Sequence, residues 1–349
     1  METHIYVISE GGEGNLKQAI YEHYNLRMER KTKFRHYDAF WANRVLYIIV
    51  PLGYMEKEEL EEVQQLSEYM LRQHQDIYVC SFVKNKNDEY TTEIEDNLYG
   101  LLRIPYVETR NELPIGMELA KFHQRARAFP KKITAMNRIG QWKSLWVKRI
   151  DQMESFYYEM VRNHPVDYFD KLFVESFPYY LGLTENAIQY LVDTEMDDQP
   201  MMNDAGTLCH HRFSQNTWLQ NQQYAKLPLD WVFDHASRDI SEYIRSECVH
   251  TNSFAQAKIQ QFTRDYEKVS PLSTFSWRLT YARLIFPVYY LECIENYYTS
   301  SARSDKKWHE DRLLEILNFS PSYEHLLKSF YETAAVPVRN YKIPILDWV

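Results

Sequence analysis

Apolar positions recur along this chain in two rhythms, and the change between them falls near residue 110. Residues 33–41 and 45–50 group β-branched and aromatic side chains on either side of a polar Ala42-Asn43-Arg44 turn, which predicts two strands. A strand over 4–7 and a short helix over 16–24 are expected before them. Over 56–74 the residues Leu60, Val63, Leu66 and Met70 return at spacings of three and four. The acidic Glu56, Glu58 and Glu59 favour the N-terminal end, so the stretch reads as a helix. Residues 78–83, 89–94 and 98–103 read as further strands, with Pro105 marking the exit from the last.

Beyond residue 110 the period is helical almost throughout. Leu113, Met117, Ala120 and Gln124, with Ile115, Leu119 and Phe122, predict one helix, and Trp142, Trp146, Ile150, Met153, Tyr157 and Met160 form a long stripe that predicts another. Helices are expected over 167–176, 180–193, 237–248, 254–268, 275–298, 306–317 and 322–333. One long irregular stretch, 194–236, interrupts them, and such a stretch inside a compact domain is usually functional or disordered. The chain therefore divides into a β-rich lobe with one long helix, residues 1–107, and a mainly helical lobe, residues 108–349, with an irregular centre. This is an α+β chain with the layout of a protein-kinase-like bilobal fold, a layout that unrelated α+β proteins share, so motifs must decide.

Composition narrows the choice. The 349 residues include only 9 glycines, 9/349 or 2.6%, against a usual share of about 7%, and none follows Gly206. Any glycine-rich loop must precede that point. With 28 Tyr, 17 Phe and 8 Trp the chain is far from a disordered composition. A net charge of −9 and a pI near 5.8 argue against a nucleic-acid partner. The longest apolar runs, 45–52 and 284–290, fall short of the roughly 20 residues of a membrane helix, and residues 1–12 lack a secretory pattern. A soluble chain is expected, with Cys80, Cys209, Cys248 and Cys293 as reduced, mostly buried thiols.

The run Ile115-Gly-Met-Glu-Leu-Ala-Lys-Phe-His123-Gln-Arg-Ala-Arg-Ala-Phe129, followed by Gly140-Gln-Trp142, resembles the CotS family of endospore coat proteins. Leu98-Tyr-Gly-Leu-Leu102, Arg149-Ile-Asp-Gln-Met153 and Asp234-His-Ala-Ser-Arg238-Asp239-Ile240 support it, and the likeness covers most of 30–335. It implies the kinase-like fold of aminoglycoside phosphotransferases and choline kinases, synthesis in the mother-cell cytoplasm, location in the spore coat, and other spore coat proteins as partners.

A phosphotransferase of this fold carries an H-x-D-x-x-x-x-N loop, whose Asp orients or deprotonates the accepting hydroxyl and whose Asn holds magnesium. The matching stretch reads Cys209-His210-His211-Arg212-Phe213-Ser214-Gln215-Asn216-Thr217-Trp218. Arg212 stands at the acid's position and cannot accept a proton near neutral pH; Thr217 stands at the metal position, with Asn216 one residue early. The metal-chelating Asp that should follow is matched best by Asp230 and next by Asp234, while Asp239 matches a further family aspartate that supports the site structurally. The hairpin over 35–44 has no glycine to cradle phosphate, and residues 47–51 carry no lysine where a third-strand cation should project.

Other signals have plain readings. Gly11-Gly-Glu-Gly14 has an acidic member and no phosphate motif around it; Cys209, His210, His211 and His235 lack a metal-ligand spacing; Glu195-Met-Asp197-Asp198 reads as a solvated acidic loop; and no G-x-S-x-G elbow exposes a nucleophilic serine. The expectation is a non-catalytic, kinase-like structural or assembly component of the spore coat, with no cofactor, no resident metal and no bound nucleotide. The alternative is a small-molecule kinase, or a nucleotide- or metabolite-binding pseudokinase, using Asp230 and a displaced base such as His210 or His211.

Overall fold

A computed structural model describes residues 13–105, 114–220, 223–250, 255–341 and 343–344. The strand expected over 4–7, the first two glycines of the 11–14 run and the boundary expected at 107/108 lie outside the described residues. The chain forms two compact units. The first takes the described residues up to 105 together with 122–137 and 210–233; the second takes 114–121, 138–209 and those from 234 onward.

In the first unit, helix α1 (Glu13–Tyr24) precedes strands β1 (Arg30–Phe34), β2 (Tyr37–Ala42) and β3 (Val45–Pro51). Helix α2 (Lys57–Arg72) follows, then β4 (Ser81–Val83), β5 (Thr91–Ile94) and β6 (Asn97–Arg103). The sheet order is β1-β2-β3-β6-β4, β5 also pairs with β6, and every pairing is antiparallel. Both faces are covered. Ala39, Leu46, Ile48, Val50 and Leu102 pack in one apolar cluster with Leu60 of α2, and Phe40, Ala42, Ile49 and Leu101 in another with Leu16 and Ile20 of α1. Burial on two sides explains why β3 reads as an unbroken apolar run rather than an alternation.

The single strand expected over 33–41 is in fact two. Phe34 pairs with Tyr37 across a two-residue turn in which Arg35 takes φ 54°, because two-residue hairpins need left-handed backbone. The turns after β2 and β5 do the same with Asn43 and Arg44 (φ 51° and 62°) and with Glu95 and Asp96 (φ 50° and 62°). None of the three uses glycine.

Helix α3 (Ile115–Arg127) contributes residues to both units. In the second unit, α4 (Trp142–Asn163) buries Trp142, Trp146, Ile150 and Met153, as its stripe predicts. The pairs of helices expected over 167–176 with 180–193, and over 306–317 with 322–333, are each one helix. α5 (Tyr168–Asp197) runs through Pro178, starting from an Asp167/Asp170 capping box, and α10 (Arg303–Thr333) runs through Pro321. The helix expected over 275–298 is instead broken in two at Pro287, as described below.

The stretch expected to be irregular holds the end of α5 and the short strands β7 (Thr207–His210), β8 (Leu219–Gln220), β9 (Gln223–Tyr224) and β10 (Trp231–Asp234). Then come α6 (Ser237–His250), α7 (Ala255–Glu267), α8 (Thr274–Ile285) and α9 (Val288–Thr299), with α11 (Val338–Tyr341) after α10. Between α8 and α9, Phe286 is extended (ψ 117°), the conformation that a following proline imposes. Many of the tyrosines fill this core, with rings stacked at 3.6 Å for Phe169–Tyr297 and for Tyr180–Tyr290 and at 3.8 Å for Tyr243–Phe262. All four cysteines are buried, and none is in a disulfide.

Candidate functional site

The loop that matches a phosphotransferase catalytic loop leaves β7 at His210, which is almost fully buried against Phe122, Phe213 and Trp218. Trp218 Nε1 donates to His210 Nε2 at 2.9 Å. An indole N–H can only donate, so this ring nitrogen carries no proton and is already occupied as an acceptor. Arg212 is exposed, its Nη1 donating to the carbonyl of His211 at 3.2 Å. Asn216 is exposed too, while the Thr217 hydroxyl closes the loop on itself, accepting from Ser214 N at 2.8 Å.

Asp230 ends the short Pro228–Asp230 turn of 3-10 helix, where its carbonyl accepts from His211 N at 2.9 Å. Its carboxylate meets Arg35, with Nη1 at 2.5 Å from Oδ2 and the two side chains 19% and 22% exposed. The same guanidinium donates through Nη2 to the Thr217 carbonyl. A turn residue of the β1–β2 hairpin thus holds both the aspartate and the loop. Around this pair lies His36, whose pKa burial lowers, Asp230 opposing and Arg35 assisting. Burial raises the pKa of Tyr54, again with Asp230 contributing.

Two charged groups of the first unit escaped the sequence reading. Lys226 is buried with its Nζ 2.7 Å from Asp76 Oδ2, both side chains at most 2% exposed, and lies over the Trp218 ring at 4.4 Å. Arg125 reaches the same carboxylate at 3.3 Å. The available signal was a lone lysine inside the apolar run 225–229. Glu62 of α2 accepts the backbone N–H groups of Thr134, Ala135 and Met136 at 2.7, 3.1 and 2.9 Å. Burial would raise its pKa, but these bonds and the Thr134 hydroxyl hold it below the usual range. β3 offers it no lysine.

In the second unit Asp234 is fully engaged. Oδ2 accepts from Trp142 Nε1 at 2.8 Å and from Arg238 Nε at 2.6 Å, and Oδ1 accepts from His235 N at 2.7 Å. Asp239 is wholly buried in the first turn of α6. His235 accepts from Ser237 N through Nδ1 at 3.0 Å, which leaves Nε2 to face Asp204 at 3.4 Å. Asp204 also accepts from Ser273, Ser276 and Met201 N. The Cys209 thiol donates to the carbonyls of Asp234 and His235. Of the histidines weighed as ligands, His210 and His235 therefore each have their own hydrogen-bond partners. The acidic run 195–198 is not simply solvated: Asp197 and Asp198 take Arg278 at 3.1 and 2.8 Å.

Residues 17–330 match the family described as "Spore coat putative kinase YutH". The chain is 42% identical over 335 residues to the "Endospore coat-associated protein YutH" of Bacillus subtilis (strain 168), covering 96% of this chain and 98% of that one. Among solved structures it resembles an aminoglycoside phosphotransferase from Alicyclobacillus acidocaldarius, at 15% identity and TM-score 0.66 over 91% of this chain and 96% of the other. It also resembles the AMP-bound spectinomycin phosphotransferase APH(9)-Ia, at 14% identity and TM-score 0.59 over 85% and 94%. A microcompartment-associated aminopropanol kinase aligns over 93% and 98% at 11% identity and TM-score 0.58. These likenesses give the fold: kinase-like, of the aminoglycoside phosphotransferase type, with a strand-rich N-terminal region and a helical C-terminal region.

Proposed function

Since the chain belongs to the YutH family of kinase-like spore coat proteins, we propose that it serves the endospore coat as a non-catalytic component, in contact with other coat proteins and without bound nucleotide. The observation that carries the non-catalytic reading is the Arg35–Asp230 pair. In a working kinase the turn between the first two strands covers the phosphates with backbone amides, and the aspartate after the catalytic loop holds magnesium. Here that turn delivers a guanidinium to that aspartate. Three further departures act independently: Arg212 in place of the acid, Thr217 with its hydroxyl closing the loop, and Glu62 bonded to main-chain amides beside a β3 that has no lysine.

For His210 as the displaced base, the Nε2 that would take a proton already accepts from Trp218, which leaves His211 as the other candidate. Thermal-shift and phosphate-release measurements with ATP and magnesium separate the readings. Neither stabilisation nor turnover is expected, and Arg212→Asp alone is expected to remain inactive. Nucleotide-dependent stabilisation that disappears in Asp230→Ala would overturn the proposal in favour of a nucleotide-binding protein. The coat assignment is tested by fractionation: recovery with extracted spore coat supports it, and steady presence in growing cells opposes it.

A further inference from the structure

Within the first unit, the outer edge of β4 is covered along only part of its length. Among the described strands β4 pairs with β6 alone. Just before it, Cys80 N donates to the Lys226 carbonyl at 2.9 Å, and the Cys80 carbonyl accepts from Ser67 Oγ of α2 at 3.2 Å. Cys80 therefore turns both main-chain groups away from β6, and alternation along the strand turns the Phe82 N–H and C=O to the same outer edge. There α2 and β4 leave a cavity of about 140 Å³, partly open to solvent. That volume is close to one known to hold a benzene-sized molecule.

The cavity walls carry both signs of charge and an apolar side. Glu68 and Arg72, one turn apart on α2, both line it. Arg72 Nη2 stands 3.8 Å from Glu68 Oε2, beyond hydrogen-bond distance, so the pair is loose. Glu68 Oε1 accepts from the Tyr90 hydroxyl, which orients the carboxylate. Burial and Glu68 push the Tyr90 pKa up to about 12, so that hydroxyl stays a donor at neutral pH. Leu71, Phe82 and Tyr90 supply the apolar surface, the two rings meeting edge-on at 6.1 Å. Lys84 lies over the Tyr90 ring at 5.2 Å and is paired with Asp88 at 2.8 Å, so it adds no net charge.

We propose that this cavity binds a small free α-amino acid, its ammonium on Glu68 and its carboxylate on Arg72. A zwitterion carries its two charges on neighbouring atoms, and here an anion and a cation share one small cavity. The Phe82 C=O and N–H offer the ammonium a second acceptor and the carboxylate a second donor. Leu71, Phe82 and Tyr90 suit a side chain of the size of alanine or valine. A ligand with only one charge would leave Glu68 or Arg72 without its partner. The site uses none of the catalytic-loop residues and is independent of nucleotide binding.

The full-length chain is titrated with L-alanine and L-valine at constant ionic strength, followed by isothermal titration calorimetry and thermal shift. Propionate and ethylamine, which each keep one of the two charges of alanine, serve as controls. A saturable response to at least one amino acid is expected, with either control at least about tenfold weaker. Glu68→Gln keeps an acceptor for Tyr90, and Arg72→Met keeps the apolar stem; each is expected to weaken amino-acid binding about tenfold or more. No saturable response to either amino acid, or one that propionate or ethylamine matches, overturns the site. So does an unchanged affinity in Arg72→Met, a substitution at an exposed position that leaves the fold intact and decides the matter even if Glu68→Gln does not fold.

Discussion

Asp204 offers the sharpest test of how the second unit is held together. Its carboxylate accepts from Ser276 Oγ at 2.5 Å, Ser273 Oγ at 2.7 Å and Met201 N at 2.7 Å, with His235 Nε2 at 3.4 Å, and its side chain is fully buried. Burial alone would raise its pKa, but the bonds from His235, Ser276, Met201 N and Ser273 outweigh that and hold it at about 2, against an ordinary 3.8. The folded value lies below the unfolded one, so the stabilisation is complete above pH 3.8 and is lost as pH falls towards 2. The difference of 3.8 − 2 units corresponds to about 2.4 kcal/mol, of which about 1.1 kcal/mol is already lost at pH 3. Asp204→Asn keeps the shape but cannot accept four donors, and it has no charge to titrate. In urea denaturation the variant is expected to be less stable than the parent at pH 7 by about 2 kcal/mol or more. That gap should narrow by about 1 kcal/mol at pH 3. An equal gap at both pH values would refute the charge argument and leave only a packing effect.

Lys226→Met should destabilise the first unit by about 3 kcal/mol in chemical denaturation, because the buried Asp76 then keeps the more distant Arg125 as its cation and the Tyr78 N–H as a donor. Adding Asp76→Leu should recover at least half of that loss. Arg44→Gly, at φ 62° in the β2–β3 turn, should stabilise by about 0.5–1 kcal/mol, read as a rise in Tm. Gly116→Ala would place a Cβ 2.2 Å from the carbonyl oxygen of Phe262 and should cost about 3 kcal/mol, whereas Gly182→Ala meets nothing within 4 Å and should gain up to about 1 kcal/mol for α5.

Periodicity made α2, α4 and the doubly buried β3 legible, since each owes its existence to a local apolar pattern. The prolines were not legible. Pro178 removes one backbone donor, yet Phe169, Phe173, Phe177, Tyr180, Leu183 and Ala187 keep one buried face continuous across it, and tertiary packing offsets the local loss. At Pro287 the chain breaks instead, although the hydrophobic run that this proline interrupts read as one helix on both sides of it. Asp230 was singled out from residues close to it in sequence, and the structure places its carbonyl against His211 N. Its partner could not be read: Arg35 lies 195 positions away, and only the closed first unit brings the two together.

The glycine shortage has a structural counterpart at this same turn. Arg35 takes φ 54°, a backbone conformation that glycine adopts without strain, so the hairpin keeps a glycine's geometry while carrying a long cationic side chain. A glycine there would leave the amides open to an approaching phosphate; the arginine instead joins the Thr217 carbonyl and the Asp230 carboxylate to the turn. The arginine at this turn thus supplies the aspartate with an internal cation. Because Asp234 is satisfied separately by Trp142 and Arg238, freeing Asp230 would still leave the other candidate carboxylate committed to the second unit. Arg35→Gly alone should therefore loosen the hairpin from its loop without creating a magnesium site, which needs several oxygen ligands held in octahedral order.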